Sequence, residues 1–162
     1  METVKEETKM SNAADLQERE KQTQANLLTM RNYFDLLFSK HLDKLLELMD
    51  DNIEWLMVAT GDVIKGKEML AKGAKNHWAA SPNRTKKLVN LFANEEYASM
   101  EYISGGTLTG DADFGSTKIT ATGAKYELQV CFVFHFTNGK IDRVHEYFDM
   151  ETVKRITNQP KG

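Results

Sequence analysis

Residues 131–149 read Cys131-Phe132-Val133-Phe134-His135-Phe136-Thr137-Asn138-Gly139-Lys140-Ile141-Asp142-Arg143-Val144-His145-Glu146-Tyr147-Phe148-Asp149. An apolar run broken by one histidine, then Asn-Gly, then apolar residues alternating with ionisable ones, is the pattern of a β-hairpin whose two-residue turn takes positive φ. Strict alternation puts Ile141, Arg143, His145, Tyr147 and Asp149 on one face of the second strand and Asp142, Val144, Glu146 and Phe148 on the other. The first set gathers Arg, His, Tyr and Asp on one side. In an ordinary half-buried strand that side faces water; in a bent sheet covered by helices it faces a cavity.

The residues upstream favour helices followed by a bent sheet. Residues 1–14 are polar with mixed charges and lack apolar periodicity, which predicts a disordered or loosely helical extension. Asp15 with Glu18 matches the pattern of a capping box and predicts a helix start there, and Leu27, Met30, Phe34, Leu37 and Phe38 recur at helical spacing. A second short helix carries Leu42, Leu45, Leu46 and Met49 on one face. Ile53 to Val58 suits a strand, Thr60-Gly61-Asp62 a turn, and Lys67 to Ala79 a third helix stopped by Ser81-Pro82-Asn83. Beyond Pro82 the pattern is β: Arg84 to Phe92, Tyr97 to about Leu108 with Gly105-Gly106 inside it, a polar loop from Gly110 to Ser116, and Thr117 to Phe136 interrupted at Thr122-Gly123. A glycine pair within a strand marks a bulge or bend. A last helical turn is expected over Glu151 to Ile156, and 158–162 as a tail.

The expected architecture is α+β: three N-terminal helices closing a strongly curved antiparallel sheet of about four long strands, in one domain over residues 15–157. A chain of 162 residues suits one domain. With 41% hydrophobic and 28% charged residues it has a soluble globular composition. A net charge of -3 without a basic cluster argues against nucleic acid. No apolar run reaches the ~20 residues needed to span a bilayer, and the charged N-terminus does not resemble a signal peptide, so a cytoplasmic protein without a membrane partner is expected. Cys131 is the single cysteine, which excludes an internal disulfide and a cysteine-based zinc site. It reads as a small buried hydrophobe within a strand. His41, His77, His135 and His145 form no local metal-binding pair on a helix, so nothing local predicts a metal site; one assembled across strands stays open.

The order of elements resembles the superfamily of cone-shaped domains named for nuclear transport factor 2. Gly106-Thr107-Leu108-Thr109-Gly110, Ala121-Thr122-Gly123-Ala124-Lys125-Tyr126, Phe134 to Ile141, and His145-Glu146-Tyr147-Phe148-Asp149 resemble successive motifs of its SnoaL-like, polyketide cyclase-like branch. The likeness spans Leu27 to Ile156 in element order and Gly105 to Asp149 in motifs. It implies a cofactor-independent cyclase or isomerase that removes a proton next to a carbonyl, as in an aldol closure. The last-strand aspartate falls on Asp149 as acid/base and the preceding-strand histidine on His135 as its partner. A carboxylate in an apolar cavity is raised toward neutrality by desolvation, and the enolate needs a donor aimed at it.

Tyr33 stands where ketosteroid isomerases carry a first-helix tyrosine. Met57 and a position near Phe132 stand where they carry acids, which argues against steroid isomerisation. Met100-Glu101-Tyr102 lacks the Arg-x-Asp of limonene epoxide hydrolase. Leu108 replaces a histidine common in SnoaL-like sequences and makes the pocket more apolar.

Tyr33, Trp55, His77, Tyr102, His145 and Tyr147 are the candidate substrate-binding residues. His77, on an apolar helical stripe, fits a core-edge histidine as well as a ligand contact, and Trp78 either flanks a pocket or seals the core. His145 fits pocket or rim; Arg143 fits surface or rim. The alternatives to an enzyme acting on a small apolar or polyketide-like molecule are a non-catalytic binder of such a molecule and a dimerisation domain. A homodimer through the outer sheet face, with Val144 and Phe148 on it, is expected by resemblance.

Overall fold

A computed structural model describes residues 2–39, 41–114 and 116–157, without the side chains of residues 2–11, 113, 114 and 117. In order the elements are α1 (Glu2–Leu36), α2 (Leu42–Glu47), β1 (Met49–Met57), β2 (Asp62–Lys65), α3 (Lys67–Ala80), β3 (Thr85–Ala93), β4 (Tyr97–Thr107), β5 (Ala112–Phe114), β6 (Thr117–Ile119), β7 (Lys125–Thr137), β8 (Lys140–Phe148) and α4 (Met150–Thr157). The extension expected at residues 1–14 is continuous with α1 from Glu2. The tail at 158–162 lies outside the described residues.

Six strands form one curved, unclosed sheet in the order β2-β1-β8-β7-β4-β3, and β5 pairs with β6 in a small separate ribbon. In that ribbon β5 falls in the stretch expected as the Gly110 to Ser116 loop and β6 at the start of the expected Thr117 to Phe136 run; β2 was not anticipated. The sheet is mixed, because β1 runs parallel to β8. The pairs β3–β4, β4–β7 and β7–β8 are antiparallel.

Alternation sets the inner face: Ala98, Met100, Tyr102 and Ser104 of β4, and Val130, Phe132, Phe134 and Phe136 of β7, are all buried. Helix α1 lays Met30, Tyr33 and Leu37 on that face, with the Tyr33 ring 5.1 Å from Phe134. Buried Asn26 ties α1 to the β3–β4 turn, its Nδ2 donating to the carbonyls of Asn94 at 2.9 Å and Glu95 at 3.0 Å. Those carbonyls belong to a turn and have no strand partner, so a side-chain donor satisfies them.

The hairpin at 137–140 is as its sequence requires, with Asn138 at φ 51° and Gly139 at φ 73°. The alternation after it is not. Between the pairs Phe136–Ile141 and His135–Arg143 the register shifts by a residue. Such a bulge turns every later side chain to the opposite face. Ile141 and Val144, three positions apart, are therefore both buried. Beyond the bulge Val144, Glu146 and Phe148 point inward while Arg143, His145 and Tyr147 point outward. This corrects the expectation that Val144 and Phe148 lie on the outer face, and it moves His145 and Tyr147 away from the interior.

Candidate functional site

Between the inner sheet face and helices α1, α2 and α3 lies a cavity of about 550 Å³. Its hydrocarbon walls come from the helices, among them Leu37, Leu42, Leu45, Leu46 and Leu70, and from Met49, Met57 and Phe132 on the strands. Amphipathic spacing accounts for the helical part, since the leucines of α2 recur every three or four residues and share one face. One polar group gathers side chains from several elements, Tyr33 of α1, His77 of α3, Arg84 just before β3, and Trp55, Tyr102 and Glu146 of the sheet.

Trp55 and Glu146 sit on neighbouring parallel strands, where Trp55 opposes Val144 and Met57 opposes Glu146. Same-face positions one diagonal apart bring their side chains together. The Trp55 indole Nε1 donates to Glu146 Oε2 at 2.8 Å. Desolvation raises the Glu146 pKa above the ordinary glutamate value; the Trp55 hydrogen bond and the charge of Arg84 pull the other way without cancelling it.

The neighbours of Glu146 are held neutral. Burial, and then the positive charge of Arg84, lower the His77 pKa to about 3. Burial raises the phenols of Tyr33 and Tyr102 far beyond the range in which they ionise. Arg84 Nη2 donates to Ser104 Oγ at 3.1 Å, and its guanidinium carbon lies 3.8 Å from the centre of the Phe38 ring, a stacking geometry suited to a partly desolvated arginine. Around Glu146 the site therefore offers its carboxyl, two phenol O–H groups, a neutral imidazole and the Arg84 cation; Asp62, Lys65, Lys72 and Asn76 also line the cavity.

The structure places Tyr33, Trp55, His77 and Tyr102 in the cavity wall and leaves the other expected residues outside it. Asp149 is exposed at the start of α4. Its carboxylate accepts from the Thr152 hydroxyl at 2.6 Å and from the backbone N–H groups of Glu151 at 3.0 Å and Thr152 at 3.1 Å. These bonds, led by the Thr152 hydroxyl, lower its pKa, the opposite of what a poised base needs. Asp149 is a helix cap.

His135 lies on the outer face, its Nδ1 2.6 Å from Asp142 Oδ1 and its ring 4.8 Å from that of Tyr97. Burial pushes the Asp142 carboxyl up, but hydrogen bonds from His135 and Thr137 outweigh it and leave the pKa lowered. His145 and Tyr147 share that face, and Tyr147 is 42% exposed. Cys131 is there too, half-buried, with Sγ 3.6 Å from Ser99 Oγ. Among the described residues no three His, Cys, Asp or Glu side chains cluster as a metal site, and no helix is long and apolar enough to cross a membrane.

Glu146 and Arg84 are the cavity residues that sequence reasoning missed. For Glu146 a signal existed, a carboxylate flanked by Val144 and Phe148 on one face. Arg84, at the edge of a strand behind Pro82, carries no such signal.

The model of the SnoaL-like domain matches residues 30–144. The chain belongs to the SnoaL-like family. A protein assigned as a SnoaL-like polyketide cyclase from Jannaschia sp. CCS1 superposes with a TM-score of 0.76 at 14% identity, over 85% of this chain and 94% of its own. One assigned as a polyketide cyclase from Xanthomonas campestris pv. campestris has a TM-score of 0.69 at 18% identity, over 85% and 99%. One assigned as a ketosteroid isomerase from Kribbella flavida DSM 17836 has a TM-score of 0.60 at 16% identity, over 78% and 79%. No curated protein sequence matches the chain. At these identities the structural neighbours of this SnoaL-like chain share its fold, and its chemistry rests on its own cavity.

Proposed function

We propose that this SnoaL-like protein is a cofactor-independent cyclase or isomerase acting on a small, largely apolar carbonyl compound held in the 550 Å³ cavity. The observation that carries the reading is Glu146, a carboxyl raised by desolvation in a hydrocarbon-walled site and oriented by the Trp55 indole. Oε1 takes the proton next to the substrate carbonyl. The enolate oxygen accepts hydrogen bonds from neutral O–H donors on the same wall, Tyr33 and Tyr102. The enolate carbon then attacks a second carbonyl, whose oxygen takes the proton back from Glu146, or the enolate is reprotonated at another position by Glu146; either step returns the carboxylate. Glu146 takes the acid/base role that the family motif suggested for Asp149.

Hydrogen–deuterium exchange at the α-carbon of 2-decalone in D2O, followed by NMR, tests this without the natural substrate. Wild-type protein accelerates exchange and Glu146→Gln does not. If 2-decalone quenches the fluorescence of Trp55 and Trp78, both in the cavity wall, without any accelerated exchange, the protein is a binder and the enzymatic reading is wrong.

A homodimer through the outer face of β4, β7 and β8 is part of the same proposal. The support is half-buried Ile103, Cys131 and Val133 on that face. Sedimentation of wild type as a dimer and of Val133→Glu as a folded monomer is the expected result.

A further inference from the structure

His77, Arg84, Tyr102 and Glu146 also line a second, smaller cavity of about 80 Å³. Its other polar walls are Ser81, Ser104, Tyr126 and Thr157, and α4 also contributes Val153 and Ile156. Ser81 is only 3% exposed, and among the described residues its Oγ and Arg84 Nε are the buried side-chain polar atoms without a hydrogen-bond partner. Native interiors satisfy such groups, so an unmet donor marks a place where something else supplies the acceptor.

The surroundings define that acceptor. A Cβ on Gly106 would lie 2.5 Å from Ser81 Oγ and 3.2 Å from Tyr126 Oη, so two hydroxyls converge where glycine leaves room. Arg84 brings a charge that no carboxylate of the described residues pairs with. The space exceeds the ~10–15 Å³ a single water requires and suits a carboxylate. Glu146, the carboxylate lining both cavities, opposes a second anion; Arg84, in the same shared wall, offsets it.

We propose that the small cavity is a carboxylate subsite, in which Arg84 and Ser81 hold the acid group of an apolar carboxylic acid whose hydrocarbon body fills the main cavity. This rests on the reading that the main cavity receives an apolar molecule, and it narrows the substrate class to keto acids with a bulky hydrocarbon part. An arginine matches a carboxylate with paired N–H donors, which an amide of the same shape cannot exploit as an anion.

The test compares 4-cyclohexylbutanoate with 4-cyclohexylbutanamide, two non-fluorescent probes of nearly equal size, by quenching of tryptophan fluorescence. Wild type binds the carboxylate about tenfold or more tightly than the amide. Arg84→Met, which keeps an apolar stem, loses the preference while still binding the amide, and Ser81→Ala reduces it. Equal affinities in wild type, or a preference that survives in Arg84→Met, overturn the carboxylate assignment and leave the apolar cavity standing. Failure of both probes to bind wild type overturns both. If Arg84→Met does not fold, the wild-type ratio and Ser81→Ala decide.

Discussion

The Trp55 indole N–H donates to Glu146 Oε2 at 2.8 Å across two parallel strands. That bond engages Oε2 and supplies the main stabilisation opposing desolvation of the charged form. Removing it leaves desolvation less opposed. Trp55→Phe should therefore raise the pH midpoint of α-proton exchange, which itself lies above the ordinary glutamate value of 4.5, with activity present above the midpoint and lost below it. Glu146→Gln should lower exchange by roughly 10²-fold or more at every pH, the usual scale of a general base. The pH–rate profiles of the two variants separate orientation from proton transfer.

The raised Glu146 pKa also makes a stability statement. The folded state holds this proton more tightly than the unfolded state, so its contribution favours folding at low pH. That contribution is lost as pH rises from 4.5 through the folded value. Glu146→Gln should consequently match or exceed wild type in thermal midpoint at pH 8, the expected cost of placing a functional carboxyl in an apolar wall. A variant much less stable at pH 8 would show that the carboxylate is held by more than the Trp55 bond.

His77 works in the opposite direction. Its folded pKa of about 3 lies below the ordinary 6.5, so its contribution to stability is present above pH 6.5 and is lost as pH falls toward 3. Replacing it with Gln should flatten the loss of thermal stability across that acid window. Melting followed by circular dichroism at half-unit pH steps measures the change in slope.

Asp149 separates capping from catalysis. Asn caps helices as well as Asp does, whereas Ala does not. Asp149→Asn should leave both α4 and α-proton exchange intact, while Asp149→Ala should speed amide hydrogen exchange at Glu151 and Thr152 without removing turnover. Loss of turnover in Asp149→Asn with α4 still protected would return the acid/base role to Asp149.

Phe134 is fully buried, with its ring 5.1 Å from Tyr33 and 5.5 Å from Phe132. Phe134→Ala leaves a cavity where α1 meets the sheet, and a cost of about 3–5 kcal/mol is expected. At roughly 2–4 °C per kcal/mol for a chain of this size, the thermal midpoint should fall well outside measurement error.

What the sequence determined by itself was the set of elements and their class. Apolar spacing marked α1 to α3 and the Asn138-Gly139 turn set the hairpin, because these signals are local and each is written within a few residues. Tyr33, Trp55, His77 and Tyr102 were legible as candidates, being large or ionisable side chains on apolar faces. Tertiary structure decided the rest. One bulge opposite His135 inverted β8, turning Glu146 inward and Arg143, His145 and Tyr147 outward, and strict alternation cannot foresee an inserted residue. Parallel pairing of β1 with β8 joined Trp55 to a glutamate 91 positions away. Helix α4 claimed Asp149 for its own N–H groups, and the meeting of Ser81, Arg84 and Gly106 arose from contact between segments, which no periodicity records.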